Sequence, residues 1–219
     1  MTEPRYSPGV RRLVLAAAVV ACLGVGVEAA SPTTPKLDRI ALRATQVGPG
    51  YKLFTRADSR CLEGKACATL DLCSSSFPSE KLRTARLQVG YSRKGKTSLS
   101  NEVVTYRPGG AKQALREVTQ AALHCPKGPI AVAGAPVKLR LKVERISDPH
   151  LLPGYLAVRV RFTGNLNGVT QIATAIGVYQ FKGDVFSGVY TDGTGTIAAQ
   201  QRLALHAAEQ SAANLKATA

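Results

Sequence analysis

The stretch from Cys73 to Cys125 constrains this chain more than any other, because it reads as strand, strand, helix with a cysteine at each end. Leu87, Val89 and Tyr91 alternate with Arg86, Gln88 and Gly90, the period of two expected of a half-buried strand. Val103 to Arg107 reads as the returning strand after a polar turn from Ser92 to Ser98. Behind Pro108-Gly109-Gly110, the residues Ala111, Ala114, Leu115, Val118, Ala121, Ala122 and Cys125 recur at helical spacing, and Pro126, Gly128 and Pro129 end the helix. Cys125 falls on that apolar face, so a bridge to Cys73 would act on the same side as the packing. It would fasten the helix end to the strand that enters the unit.

The chain's other cysteines say where such a bridge can survive. Cys22 lies inside a leader over residues 1–30, where Arg5, Arg11 and Arg12 precede an apolar run from Leu13 to Val27. That run is short for a membrane span of roughly 17–25 residues and reads as an export signal. Three fates stay open: cleavage after Ala29, lipidation at Cys22 in a lipobox-like Val19-Val20-Ala21-Cys22, or an uncleaved anchor. Each places the domain outside the cytoplasm, either secreted or attached to the outer side of the plasma membrane. Four cysteines remain, Cys61, Cys67, Cys73 and Cys125, an even number for an oxidising compartment. Between Cys67 and Cys73 the sequence alternates like a strand, and six extended steps span about 20 Å, beyond the roughly 7 Å limit for a bridge. The turn residues Glu63-Gly64-Lys65 favour Cys61–Cys67, with Cys73–Cys125 as the long bridge. Without CxxC spacing, a zinc site is not expected from these cysteines.

The rest of the chain supplies the layers. Residues 31–36 read as a linker and residues 37–216 as a single domain. Leu37, Ile40, Ala41, Ala44 and Val47 predict a first helix that ends at Gly48-Pro49-Gly50. Strands are expected from Tyr51 to Thr55, from Thr69 to Cys73, from Val137 to Ile146 and from Tyr155 to Thr163. Thr170 to Phe181 is apolar or small on both faces and so should be central, with Ala173, Ala175 and Gly177 leaving room for a helix. Lys182-Gly183-Asp184 turns the chain into Val185 to Thr191. A closing helix from Thr196 to Leu215 should pack through Ile197, Gln201, Leu205, Ala208, Ala212 and Leu215. Short turns between strands imply an α+β fold: a largely antiparallel sheet with helices packed on one face and two disulfides.

This order, with Leu70-Asp71-Leu72-Cys73, the segment from Ser100 to Tyr106 and the helix ending in His124-Cys125, resembles the PknH-like sensor family. That family comprises the extracellular domain of an actinobacterial receptor kinase together with related secreted or lipid-anchored proteins. The resemblance would cover most of residues 37–216. It implies a ligand-binding or sensing domain with a cleft against the sheet.

Reaction chemistry is not visible. HExxH, GxSxG and SxxK are absent, and His124, His150 and His206 are scattered. Asp71 with Glu80, or Glu102 with Glu117, would have to pair in space to serve an envelope hydrolase, the enzymatic alternative to binding. A passive wall protein is the structural alternative. Asp192-Gly193-Thr194-Gly195-Thr196 reads as a turn and helix cap rather than a phosphate loop. No cofactor is implied.

Charge points to a partner. The whole chain carries +15, and residues 1–30 hold three basic and two acidic groups, which leaves +14 on the remainder. Export argues against nucleic acid and for an anionic envelope polymer, a lipid head group or a small anionic ligand, with membrane association as a consequence. Two anion sites are expected. In the first, free N–H groups at Gly109 and Gly110 open a helix between Arg107 and Lys112. In the second, Lys138, Arg140 and Lys142 on one strand share a face with Arg159 and Arg161 on the next, leaving Glu144 as the nearby acid.

Overall fold

The structure, a computed structural model, describes residues 35–59, 70, 72–131, 137–193 and 195–218. Cys22, the export signal and the Cys61–Cys67 pair lie outside the described residues. Two short helices, α1 (Pro35–Ile40) and α2 (Ala44–Val47), precede strands β1 (Lys52–Ser59), β2 (Arg83–Ser92) and β3 (Ser98–Tyr106). Helix α3 (Gly110–Leu123) leads to β4 (Arg140–Ile146), β5 (Leu156–Leu166), β6 (Val169–Lys182) and β7 (Val185–Asp192), and α4 (Ile197–Thr218) closes the chain. All seven strands form one antiparallel sheet in the order β1-β2-β3-β7-β6-β5-β4. The chain thus lays down two meanders that join at the β3–β7 pair, with α3 carrying it from the sheet centre to the far edge.

The expected α+β class and antiparallel sheet hold. Helices α1, α2 and α4 pack on one face, over Leu87, Val89, Leu99, Val103, Ile176, Val178, Val185 and Val189. Helix α3 covers the opposite face instead, over Val104, Tyr106, Val158, Tyr179 and Phe186. The reason is in the central strands, which are apolar on both sides (Val103 and Val104, Val178 and Tyr179, Val185 and Phe186) and therefore need a layer on each. Gly177 makes room for a side chain of its own strand. The Tyr179 ring folds over Gly177, and a Cβ at Gly188 would lie 2.2 Å from the Tyr190 hydroxyl, so both glycines make room for tyrosine rings.

Three local expectations are corrected. The first helix breaks at Ala41–Arg43 because the sheet captures the buried Leu42 backbone: Asn101 Oδ1 accepts from its N–H at 2.9 Å, and the Tyr91 hydroxyl donates to its carbonyl at 2.5 Å. Cys73 sits in a turn with a left-handed φ of 59°, not in a strand. The inward stripe of α4 holds at Ala208, Ala212 and Leu215 but is rotated in its first half, where Gln200 and Ala204 are buried and Ile197 is 44% exposed.

The Cys73–Cys125 bridge forms, with Cα atoms 5.2 Å apart, and ties the end of α3 to the turn at Cys73. On the other face a polar chain sets the seat of α4. Asn101 Nδ2 donates to Ser187 Oγ and to the Gly188 carbonyl, and Ser187 shares a hydrogen bond with Ser211 of α4. Gln180 donates to the Ala208 carbonyl and accepts from the Leu152 N–H, which joins α4 to the β4–β5 loop.

Candidate functional site

The β4–β5 hairpin assembles the cationic face in register. Lys142 lies opposite Arg161, Glu144 opposite Arg159, and Arg140 opposite Thr163. Odd positions of β5 share the side of α4, as the bond from Arg159 Nη2 to Gln201 Oε1 (2.7 Å) shows. Helix α4 packs on β6 and β7, and Arg140, Lys142 and Arg161 on the outer strands are exposed. Among the described residues, Arg161 has no ion pair. Lys138 is also exposed but precedes β4 and is outside the paired strand. Arg140 is turned toward the edge, where it donates to the Lys127 carbonyl at 3.2 Å.

Glu144 partly neutralises this face. It meets Lys142 at 2.7 Å and Arg159 at 3.1 Å. The hydrogen bond and charge of Lys142, followed by those of Arg159, hold its carboxyl below the usual glutamate range. Arg159 is consequently a tie between β4, β5 and α4 as much as a site residue. Beside it runs an open groove of about 420 Å³ lined by Arg159, Ile197, Ala198, Gln201, Arg202 and Leu205. The α4 stripe that the sequence assigned to the core, Ile197, Gln201 and Leu205, is thus the wall of this groove. Ile172, 54% exposed on β6, stands on the same side of the sheet. The surface therefore joins cations to apolar walls, an arrangement suited to an anionic, partly apolar ligand.

The first expected anion site, at Gly109 and Gly110, is closed by the protein itself. Gly109 takes the left-handed φ of 80° that a helix cap uses, but its N–H donates to Asp184 Oδ1 at 3.0 Å. The Gly110 N–H donates to the Arg107 carbonyl at 2.9 Å. Asp184, from the β6–β7 turn, already supplies the anion that a helix start favours. Lys112 is exposed and Arg107 belongs to this same turn, and neither gains an open N–H pair beside it.

A buried ionic cluster went unseen in the sequence because Glu102, which joins Arg83 and Arg86, reaches them from the neighbouring strand. The Arg83 side chain is fully buried, 2.7 Å from Glu80 and 3.5 Å from Glu102, and Arg86 also pairs with Glu102. Burial pulls Arg83 toward neutrality, but Glu102, Tyr106 and Glu80 outweigh it and raise its pKa. Burial raises the Tyr106 and Tyr190 hydroxyls, keeping both protonated. Glu117 lies elsewhere, bound to the Ser79 N–H and hydroxyl and to Gln113. Glu102 and Glu117 are each held by their own donors and do not form an acid pair.

These features define a class: an antiparallel-sheet domain braced by a disulfide, with an exposed cationic hairpin beside a groove. No family model matches the chain, and no curated protein matches it. Among solved structures it is similar to the extracellular domain of PknH from Mycobacterium tuberculosis, with a TM-score of 0.51 and 14% identity. The match covers 80% of this chain and 93% of that one. At that identity the likeness is one of fold. Among the described residues no helix is long and apolar enough to cross a membrane.

Proposed function

We propose that this is an extracytoplasmic, sensor-like binding domain that recognises an anionic component of the cell envelope on the β4–β5 face. The observation that carries the reading is the cross-strand pair of Lys142 and Arg161. Like charges held opposite each other cost some tenths of a kcal/mol, and among the described residues Glu144 pairs with Lys142 but no acid pairs with Arg161. Arg159 and Arg202 at the adjoining groove extend the positive surface, and Ile197 and Leu205 supply apolar contact. The leader and the paired cysteines support the location, and the fold shared with a kinase's extracellular domain supports sensing. Binding rather than hydrolysis fits the acids, since Glu80, Glu102, Glu117 and Glu144 are each engaged by a structural partner.

A pull-down against separated lipid and polymer fractions of the envelope tests the proposal. The triple variant Arg140→Gln, Lys142→Gln, Arg161→Gln changes only exposed side chains and should keep its fold. Loss of retention on an anionic fraction, with an unchanged melting temperature, is the expected result. Equal retention of variant and native protein would remove the hairpin as the binding surface.

A further inference from the structure

A second site lies one helical turn beyond the groove, where the β4–β5 loop meets α4. Asp148 and His150 of the loop and Glu209 of α4 each offer one donor atom, and the three atoms lie within 4.8 Å of one another. His150 Nδ1 is 3.1 Å from Asp148 Oδ1 and 3.8 Å from Glu209 Oε1. Ligands about 2.0–2.1 Å from a tetrahedral zinc ion stand roughly 3.3 Å apart, so these spacings bracket what such an ion requires. We propose that Asp148, His150 and Glu209 form a binding site for a divalent transition-metal ion of the zinc class, a role separate from the cationic hairpin.

The donors come from parts of the fold that are already fixed to each other. Leu151 and Leu152 anchor the loop in the core, and the Leu152 N–H reaches Gln180, which also donates to Ala208, the residue before Glu209. The Asp148 N–H donates to the Tyr155 hydroxyl at 2.6 Å, and Asp148 Oδ1 accepts from the His150 N–H at 2.9 Å. A metal would find two donors on a pinned loop and the third on a 22-residue helix. His150 is 73% exposed, which leaves room for water or an exogenous ligand as the fourth donor. One imidazole with two carboxylates favours zinc-class ions over magnesium or calcium, which prefer all-oxygen shells of six or more ligands. The ion would clamp the loop to α4.

Titration of untagged protein with zinc, followed by calorimetry and by melting temperature, tests this. One ion per chain is expected, with a rise in melting temperature because metal binds the folded state alone. His150→Ala and Glu209→Gln should each weaken zinc by at least about 10-fold. His124→Ala and His206→Ala should leave it unchanged, and calcium should not compete. His150 is exposed, so its variant should fold, and its melting temperature without metal checks that. No uptake at about 100 micromolar zinc, or uptake that survives both His150→Ala and Glu209→Gln, would overturn the site. Neither result bears on envelope binding through Arg140, Lys142 and Arg161.

Discussion

Asn101 shows how much one buried side chain organises. It accepts from Leu42 and donates to Ser187 and Gly188, and so joins the break between α1 and α2 to β3 and β7. Asn101→Ala would leave those groups unpaired in the core, at about 1–3 kcal/mol for each buried group that water cannot reach. Denaturant melting should therefore show a loss of about 2 kcal/mol or more; a loss near zero would mean that the network does not seat α4. Asp192, at the end of β7, makes a different prediction. Burial raises its pKa above the usual aspartate value. A raised carboxyl favours its protonated form in the fold, so its contribution is fully present below the unfolded pKa and is lost as pH rises through the folded one. Asp192→Asn removes the charge and should raise the melting temperature at pH 7. That gain should vanish once the medium is acid enough to protonate aspartate in both states. A gain independent of pH would point to packing instead.

Among elements, the Cys73–Cys125 bridge with α3 is the piece to which the long-loop argument applies. Closing a loop with a sequence separation of 52 is worth about 4 kcal/mol in chain entropy. Removing both cysteines should cost that much in an unfolding titration, whereas the Cys61–Cys67 pairing expected from the sequence would close only a short loop, worth about 2 kcal/mol. Equal losses would contradict the assignment of the long bridge as the main brace. The strands and α3 were legible because their signals are local: alternation in β2, β4 and β5, and an apolar stripe ended by Pro126 and Pro129 in α3. What failed was set by distant partners. Tyr91 and Asn101 break the first helix against its own periodicity. The small residues Ala204, Ala207 and Ser211 let α4 lie close to the sheet, with Ile197 exposed and Leu205 half-buried at the groove. The cationic face was legible for the same reason as the strands, since period two alone puts Lys142 and Arg161 on one side. The capture of Arg140 by Lys127 and the closure of the Gly109–Gly110 turn by Asp184 were not, because both partners come from elsewhere in the chain.

At the scale of the molecule, α4 packs on β6 and β7, and among the described residues no helix covers the basic residues of the β4–β5 hairpin. Under the proposed function, the charge of +14 carried outside residues 1–30 would draw the domain toward anionic surfaces. Glu144 moderates that attraction by holding Lys142 and Arg159. Glu144→Gln should release both cations and strengthen association with an anionic envelope fraction, measured as the fraction bound at fixed protein; weaker or unchanged association would show that Lys142 and Arg159 are not site residues. The central claim is that exposed hairpin charges make the contact. Co-sedimentation of the protein with isolated cell envelope across a salt series tests it most directly. Exposed charges are screened beyond about 8 Å at physiological ionic strength and about 3 Å at 1 M. Association should therefore fall steeply with salt in the native protein. In the Arg140→Gln, Lys142→Gln, Arg161→Gln variant it should start low and stay flat. Association that is indifferent to salt, or a variant whose curve overlays the native one, would contradict the account.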